Sequence, residues 1–329
     1  MRCHRTWKHW LGYAGVRLIE ISVTRLPVEW SVGLGGFLGR VFHRLTGIRR
    51  ALVREQIALA FPEKSPAEVR SLARRTYVEA GRSLFENFHL ACRDPLRHTT
   101  FTVHGDEHLA RLRVRREGFI VVTGHVGNWE LMGAHFARGG LPLHVIARPL
   151  HNDYIDRHVV KTRREAGLRV IPSHGVPIHD LAQLIRRGAV VVFVFDQDAR
   201  QHGTFVEFLG RLASTPRGAA LLALRTRCPI LPAYSLRQRG SRHEIYLFPP
   251  LIPPESPPDI DRAVQALTQR FTRCLEAVVR RAPEQYFWLH DRWKTPPAMV
   301  RPKRRRRAGL RGEAPASRAC ALTRLAVRR

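Results

Sequence analysis

Seven short apolar runs punctuate the middle of this 329-residue chain, at 101–103, 119–123, 143–147, 168–171, 190–195, 230–235 and 244–248. Each has the length and β-branched or aromatic content of a buried strand. Between them, segments 129–138, 154–166, 178–187 and 216–225 place apolar residues at helical spacing. Continuous apolar strands alternating with helices are covered on both faces, so the expected architecture is α/β, with a largely parallel or mixed central sheet and helices on either side. Upstream, residues 49–90 read as two helices parted by Pro62. The second opens at Ser65-Pro66-Ala67-Glu68, with proline at the first helical position. A proline-rich connector, 251–259, leads into a long amphipathic helix over 260–281.

Ligands of such sheets sit beyond the carboxyl ends of the strands. Two polar blocks fall there. The strand 119–123 breaks at Gly124 and runs into His125, Gly127-Asn128 and Glu130 at the opening of a helix. The strand 190–195 runs into Asp196-Gln197-Asp198. A His in the turn with a carboxylate on the following helix suggests a general base, His125, oriented by Glu130. A core strand followed by a helix with Asn128 as an ordinary cap accounts for the same residues. Asp196 and Asp198 are suited to binding a metal, orienting an arginine or capping the next element. Arg148 and Arg163 are suited to neutralising a phosphate or a developing oxyanion.

Charge narrows the partners. The chain carries 56 Lys and Arg against 27 Asp and Glu, a net charge of +29. Eleven of the basic residues and a single Glu lie between Arg301 and Arg329, so most of the excess belongs to the remainder. An excess of this size implies anionic partners: nucleic acid, an anionic membrane surface or phosphorylated substrates. A basic nucleic-acid-binding protein is the rival class, although no zinc finger or aromatic-interleaved basic motif is present. A metal hydrolase built on His125, Asp196 and Asp198 is a third. The five scattered cysteines form neither a disulfide framework nor a zinc pattern, and the 17 histidines contain no HExxH.

Residues 10–42 are rich in Leu, Val, Ile, Trp and Gly but are interrupted by Arg17, Glu20, Arg25, Pro27, Glu29 and Arg40. No uninterrupted stretch of about 18 apolar residues is present, which argues against an ordinary transmembrane helix. The broken apolar core also argues against a cleavable signal peptide. With Trp7, Trp10 and Trp30 and a basic start, the segment fits helices lying on a membrane surface, and equally well a core helix. The expected organisation is a membrane-associating helical segment over 1–48, a catalytic domain over 49–294, and a disordered basic tail over 295–329.

Several blocks together resemble the bacterial lipid A late acyltransferases, the lauroyl/myristoyl transferase family of the lysophospholipid acyltransferase superfamily. Thr123-Gly-His-Val-Gly-Asn-Trp-Glu-Leu131 is similar to its His-x4-Asp/Glu block, and Arg148-Pro with Asn152 to its Arg-Pro…Asn segment. Arg163, Phe195-Asp-Gln-Asp198, Gly203–Gly210 with Ser214-Thr-Pro216, and Pro283–Lys294 match later blocks in order. The resemblance covers approximately residues 49–294. It implies a glycerol-phosphate-acyltransferase-like fold and transfer of a fatty acyl chain from an acyl carrier protein or CoA thioester to a hydroxyl of a lipid A-type glycolipid. It also implies a place at the cytoplasmic face of the inner membrane, His125 and Glu130 as the catalytic pair, and Arg163 at substrate phosphate or oxyanion. Asp196, Asn128, Arg148 and Asp198 would support the site. No metal or cofactor is expected beyond the thioester co-substrate, because a thioester is already activated, and no nucleic acid partner is expected. A lysophospholipid or a mannosylated lipid is the alternative acceptor.

Overall fold

The computed structural model describes residues 7–114, 117–173 and 176–297. Four helices come first: α1 (Trp7–Val23), α2 (Val28–Leu45), α3 (Arg50–Ala60) and α4 (Pro66–Phe88). The α/β body follows as β1 (Thr100–His104), α5 (Asp106–Val114), β2 (Phe119–Thr123), α6 (Trp129–Arg138), β3 (Leu143–Ala147), α7 (Asp153–Glu165), β4 (Arg169–Pro172), α8 (Ile178–Arg186), β5 (Val190–Val194), β6 (Thr204–Phe208), β7 (Arg211–Thr215), α9 (Gly218–Thr226), β8 (Ile230–Arg237), β9 (Arg242–Leu247) and α10 (Ile260–Arg281). The mixed α/β fold expected from the sequence is the one observed. The basic residues at the extreme N-terminus and the arginine-rich stretch from 298 onward lie outside the described residues.

Seven strands form one sheet in the order β1-β9-β8-β2-β5-β3-β4. The five from β8 to β4 in that order are parallel, and β9 turns back against β8 with β1 parallel to it. Every residue of β2 is buried, because its side chains alternate between two cores. Ile120 and Val122 join Phe271, Leu275 and residues of α3, α4 and α9 on one face. Phe119 and Val121 join Leu109, Met132 and Leu168 on the other. Two-sided burial explains why the run is apolar without alternation.

Two features were not expected. Segment 204–215, within a block read only as a loop, is an antiparallel hairpin, β6 on β7. It closes through Leu209 and Gly210, both at positive φ (51° and 79°), the geometry of a type I′ turn. Leucine at the first of these positions is a poor turn signal; the Glu276 carboxylate accepts its backbone N–H and holds it. Residues 106–114, where no element was expected, form α5.

The charges that interrupt the N-terminal apolar segment have a structural use. Glu20 on α1 is buried and takes Arg17 from its own helix and His158 Nε2 from α7 at 2.9 Å. Asn152 Nδ2, at the start of α7, donates to the His9 carbonyl (2.8 Å), so α1 is fastened along α7. Helix α2 lies directly on α4: a Cβ at Gly39 would stand 2.2 Å from the Tyr77 carbonyl oxygen. No helix among the described residues is long and apolar enough to cross a membrane.

Helix α4 is tied to the sheet by ions. Glu86, 1% exposed, accepts from Arg237 Nη2 (2.6 Å) on β8, His243 Nε2 (2.8 Å) on β9 and Asn128 Nδ2 (2.7 Å) in the turn after β2. Arg237 Nη1 also reaches Glu79 at 2.7 Å. Burial alone would raise the Glu86 carboxyl, but the Arg237 charge and the His243 hydrogen bond overcome it and hold the group at about 2, below its ordinary 4.5. The stability this contributes is therefore present above pH 4.5 and lost as pH falls toward 2. Glu86→Gln should cost roughly 3–5 kcal/mol at neutral pH by leaving Arg237 without its buried counter-charge, and should flatten the acid limb of stability. Urea unfolding at a series of pH values measures both effects.

Candidate active site

Strands β2 and β5 are parallel neighbours in register, Thr123 opposite Val194. Two residues beyond that pair stand His125 and Asp196, and they meet. His125 Nδ1 is 2.7 Å from Asp196 Oδ1, and the His125 backbone N–H donates to Oδ2 (2.8 Å). Gly124 permits this approach, since a Cβ there would lie 3.2 Å from the same carboxylate and 2.9 Å from Leu275. With Nδ1–H donated to Asp196, Nε2 is the nitrogen left to accept a proton. Gln197 Nε2 is 3.5 Å from it.

Glu130 was expected to hold the imidazole, and Asp196 makes that contact instead. Glu130 sits in the first turn of α6, where its carboxylate turns to α7 and accepts from Arg163 Nε (3.0 Å) and Nη2 in a two-pronged pair. It still acts on the ring through charge. Burial works against a charged imidazole, but the Asp196 carboxylate beside it, then Glu130, raise His125 above its ordinary 6.5, with Arg163 opposing. Burial disfavours ionised Asp196 too, yet the His125 charge and hydrogen bonds keep its carboxyl below the usual range.

The turn is held from outside the sheet. Gly127 has φ +59°, and a Cβ there would meet the Ser235 carbonyl oxygen at 1.8 Å, so only glycine fits. Its N–H donates to the Gln285 carbonyl (3.0 Å), and Phe287 N–H donates to the His125 carbonyl (2.9 Å). The Pro283–Lys294 block therefore clamps the histidine turn. Its Arg292, buried, reaches Ser214 and Thr215 and lies 5.4 Å over the Phe208 ring, which secures the β6–β7 hairpin. Asn128 Oδ1 caps α6 at Leu131 N–H (3.1 Å) while its Nδ2 holds Glu86.

A cavity of about 610 Å³ opens beside the histidine. Val121, Met132, Leu143, Val192 and Leu231 line its apolar length, and His125, Glu130, Arg163, Gln197 and the exposed Arg148 line its polar part. Thr123 is also part of the wall, and its buried hydroxyl has no hydrogen-bond partner among the described residues. Asp198 is elsewhere: its N–H donates to His290 Nε2 (2.9 Å) and its Oδ2 accepts from Thr295 (2.9 Å), which braces the C-terminal block. The structure thus brings His125, Glu130, Arg163 and Arg148 to one cavity, sets Asp196 behind the His125 ring, uses Asn128 to set the turn, and leaves Asp198 outside. Glu86 and Arg237 were missed. Nothing in the sequence separates one buried arginine from 56 basic residues.

Residues 1–295 match the family described as bacterial lipid A biosynthesis acyltransferase. The chain is 26% identical over 297 residues to the lipid A biosynthesis lauroyltransferase of Escherichia coli (strain K12), covering 89% of this chain and 94% of that one. It is 24% identical to the lipid A biosynthesis myristoyltransferase of the same organism, over 92% of each chain. A phosphatidylinositol mannoside acyltransferase of Mycolicibacterium smegmatis (strain ATCC 700084 / mc(2)155) is 27% identical over 292 residues, 86% of this chain and 90% of that one.

An NMR titration of the His125 ring should give a midpoint above 6.5. Asp196→Asn removes the largest charge that raises it, so the midpoint should fall. An unchanged midpoint would mean that Asp196 is not the controlling partner.

Proposed function

The chain belongs to the bacterial lipid A biosynthesis acyltransferase family, and from that premise we propose that it moves a fatty acyl chain from an acyl carrier protein or CoA thioester to a hydroxyl of a lipid A-type glycolipid. The carrying observation is His125, backed by Asp196 and set into the wall of a 610 Å³ cavity that is apolar along its length and charged at one part. An acyl chain needs the first and a phosphorylated headgroup or a developing oxyanion the second.

In the proposed mechanism His125 Nε2 takes the proton of the acceptor hydroxyl while Asp196 holds Nδ1–H and balances the imidazolium that forms. The hydroxyl oxygen attacks the thioester carbonyl carbon and the carbonyl becomes an oxyanion. Collapse breaks the C–S bond, and the leaving thiolate takes the proton back from His125. Glu130 anchors Arg163, fixing a guanidinium at the cavity for the oxyanion or substrate phosphate. Arg148 adds a second, more exposed cation. A thioester is already activated, so alignment and proton transfer suffice without a further cofactor.

We place the protein on the cytoplasmic face of the inner membrane. Support comes from Trp7, Trp10, Leu18, Trp30, Phe37 and Leu45 of α1 and α2, all more than 50% exposed. The net charge of +29 suits the anionic carrier, lipid phosphates and membrane surface. A mannosylated lipid is the second acceptor considered, because a phosphatidylinositol mannoside acyltransferase is as similar as the lipid A enzymes.

With acyl carrier protein and CoA thioesters and a panel of glycolipids, His125→Ala should lower transfer by about 10²–10⁴-fold, the usual contribution of a general base. Full activity in His125→Ala would remove the mechanism. Glu130→Ala and Arg163→Ala should each impair transfer, and the double variant should be little worse than either, because the two act as one pair.

A further inference from the structure

A second cavity also reaches His125, from the side of α2 and α4. It measures about 560 Å³ and is bounded by Leu38 and Phe42 of α2, Leu84 of α4 and Phe287 of the C-terminal block. His125 and Trp129 form part of the wall of both cavities. Their rings are edge to face at 4.8 Å, and Phe287 is 6.2 Å from His125 on the groove side.

Resting on the acyl-transfer reading above, we propose that this groove binds an acyl chain already carried by the acceptor lipid, while the chain being transferred lies in the larger cavity. Transfer between two lipidic substrates needs two apolar compartments that meet at one base, and His125 is where these two meet. Both volumes fall within the range of about 300–1,000 Å³ usual for ligand sites.

The mouth assigns the occupants. Leu38, Phe42, Leu84 and Phe287 are each at least 36% exposed. On α2, Trp30, Leu34, Leu38 and Phe42 recur every four residues, so the groove continues an exposed apolar stripe. A lipid held in a bilayer can slide along such a stripe with its chain never crossing water. The larger cavity instead has Arg148, Arg163 and Glu130 in its wall, Arg148 exposed, which suits a donor delivered by a soluble anionic carrier.

Ala80 lines the groove, so Ala80→Trp narrows it, and Leu84→Glu puts a charge at its exposed mouth. Each purified variant is assayed with an acyl thioester donor against an acylated lipid A-type glycolipid and against the same headgroup freed of its chains. The KM for the acylated acceptor should rise roughly tenfold, equivalent to about 1.4 kcal/mol of binding. The KM for the donor and for the chain-free headgroup should stay at the wild-type values. A rise in donor KM alone would give the groove to the transferred chain, and no change in either would leave it outside the reaction; both overturn the proposal. Absence of transfer to any glycolipid by the unmodified protein is a separate result, and would remove the acyl-transfer reading together with this one. If Ala80→Trp fails to fold, Leu84→Glu at its exposed position carries the test.

Discussion

The parallel pairing of β2 with β5 is the contact on which the site depends. His125 and Asp196 are 71 residues apart in the chain, and only the register of these two strands brings them together. A slip by one residue would turn every side chain of β2 to the opposite face, exchanging the cores around Ile120 and Phe119. The two-sided apolar packing that forbids this slip thereby also sets the distance between imidazole and carboxylate. Packing in the interior and the His125–Asp196 contact at the edge are consequences of one alignment.

The buried acids follow a common pattern. Glu86 is held by Arg237 and His243, Glu20 by Arg17 and His158, and Asp196 by His125. Removing a carboxylate from water is costly, and each is retained where a positive or hydrogen-bonding partner from another element compensates. In every case the partnership joins distant parts: α4 to β8 and β9, α1 to α7, and the end of β5 to the end of β2. Among the described residues of this strongly basic chain, the buried acids serve as fasteners.

Much of the sheet was legible because two-sided burial writes itself as continuous apolar runs; β2 and β3 match their expected limits to the residue. Helix α4 was legible through Ser65 and Glu68, which form a capping box. The partner of His125 was not. Linear spacing makes Glu130 the nearest acid, whereas strand order is non-consecutive and sets Asp196 beside the ring. The β6–β7 hairpin was hidden by leucine in a turn position that usually takes Asn, Asp or Gly. The groove between α2 and α4 depends on how closely two helices approach, and the glycines that permit this, Gly35, Gly39 and Gly81, look in sequence like ordinary helix-weakening residues.

The seat of Glu20 against His158 has an implication for modularity. His158 and Arg163 lie on the same helix, α7, some five residues or about 7.5 Å apart along its axis. The surface helix α1 is thus coupled by the Glu20–His158 hydrogen bond to the helix that carries the guanidinium beside Glu130. It is not an interchangeable tether. A foreign helix grafted in its place would arrive without the carboxylate and leave His158 without its Glu20 partner, about one and a half turns from the arginine.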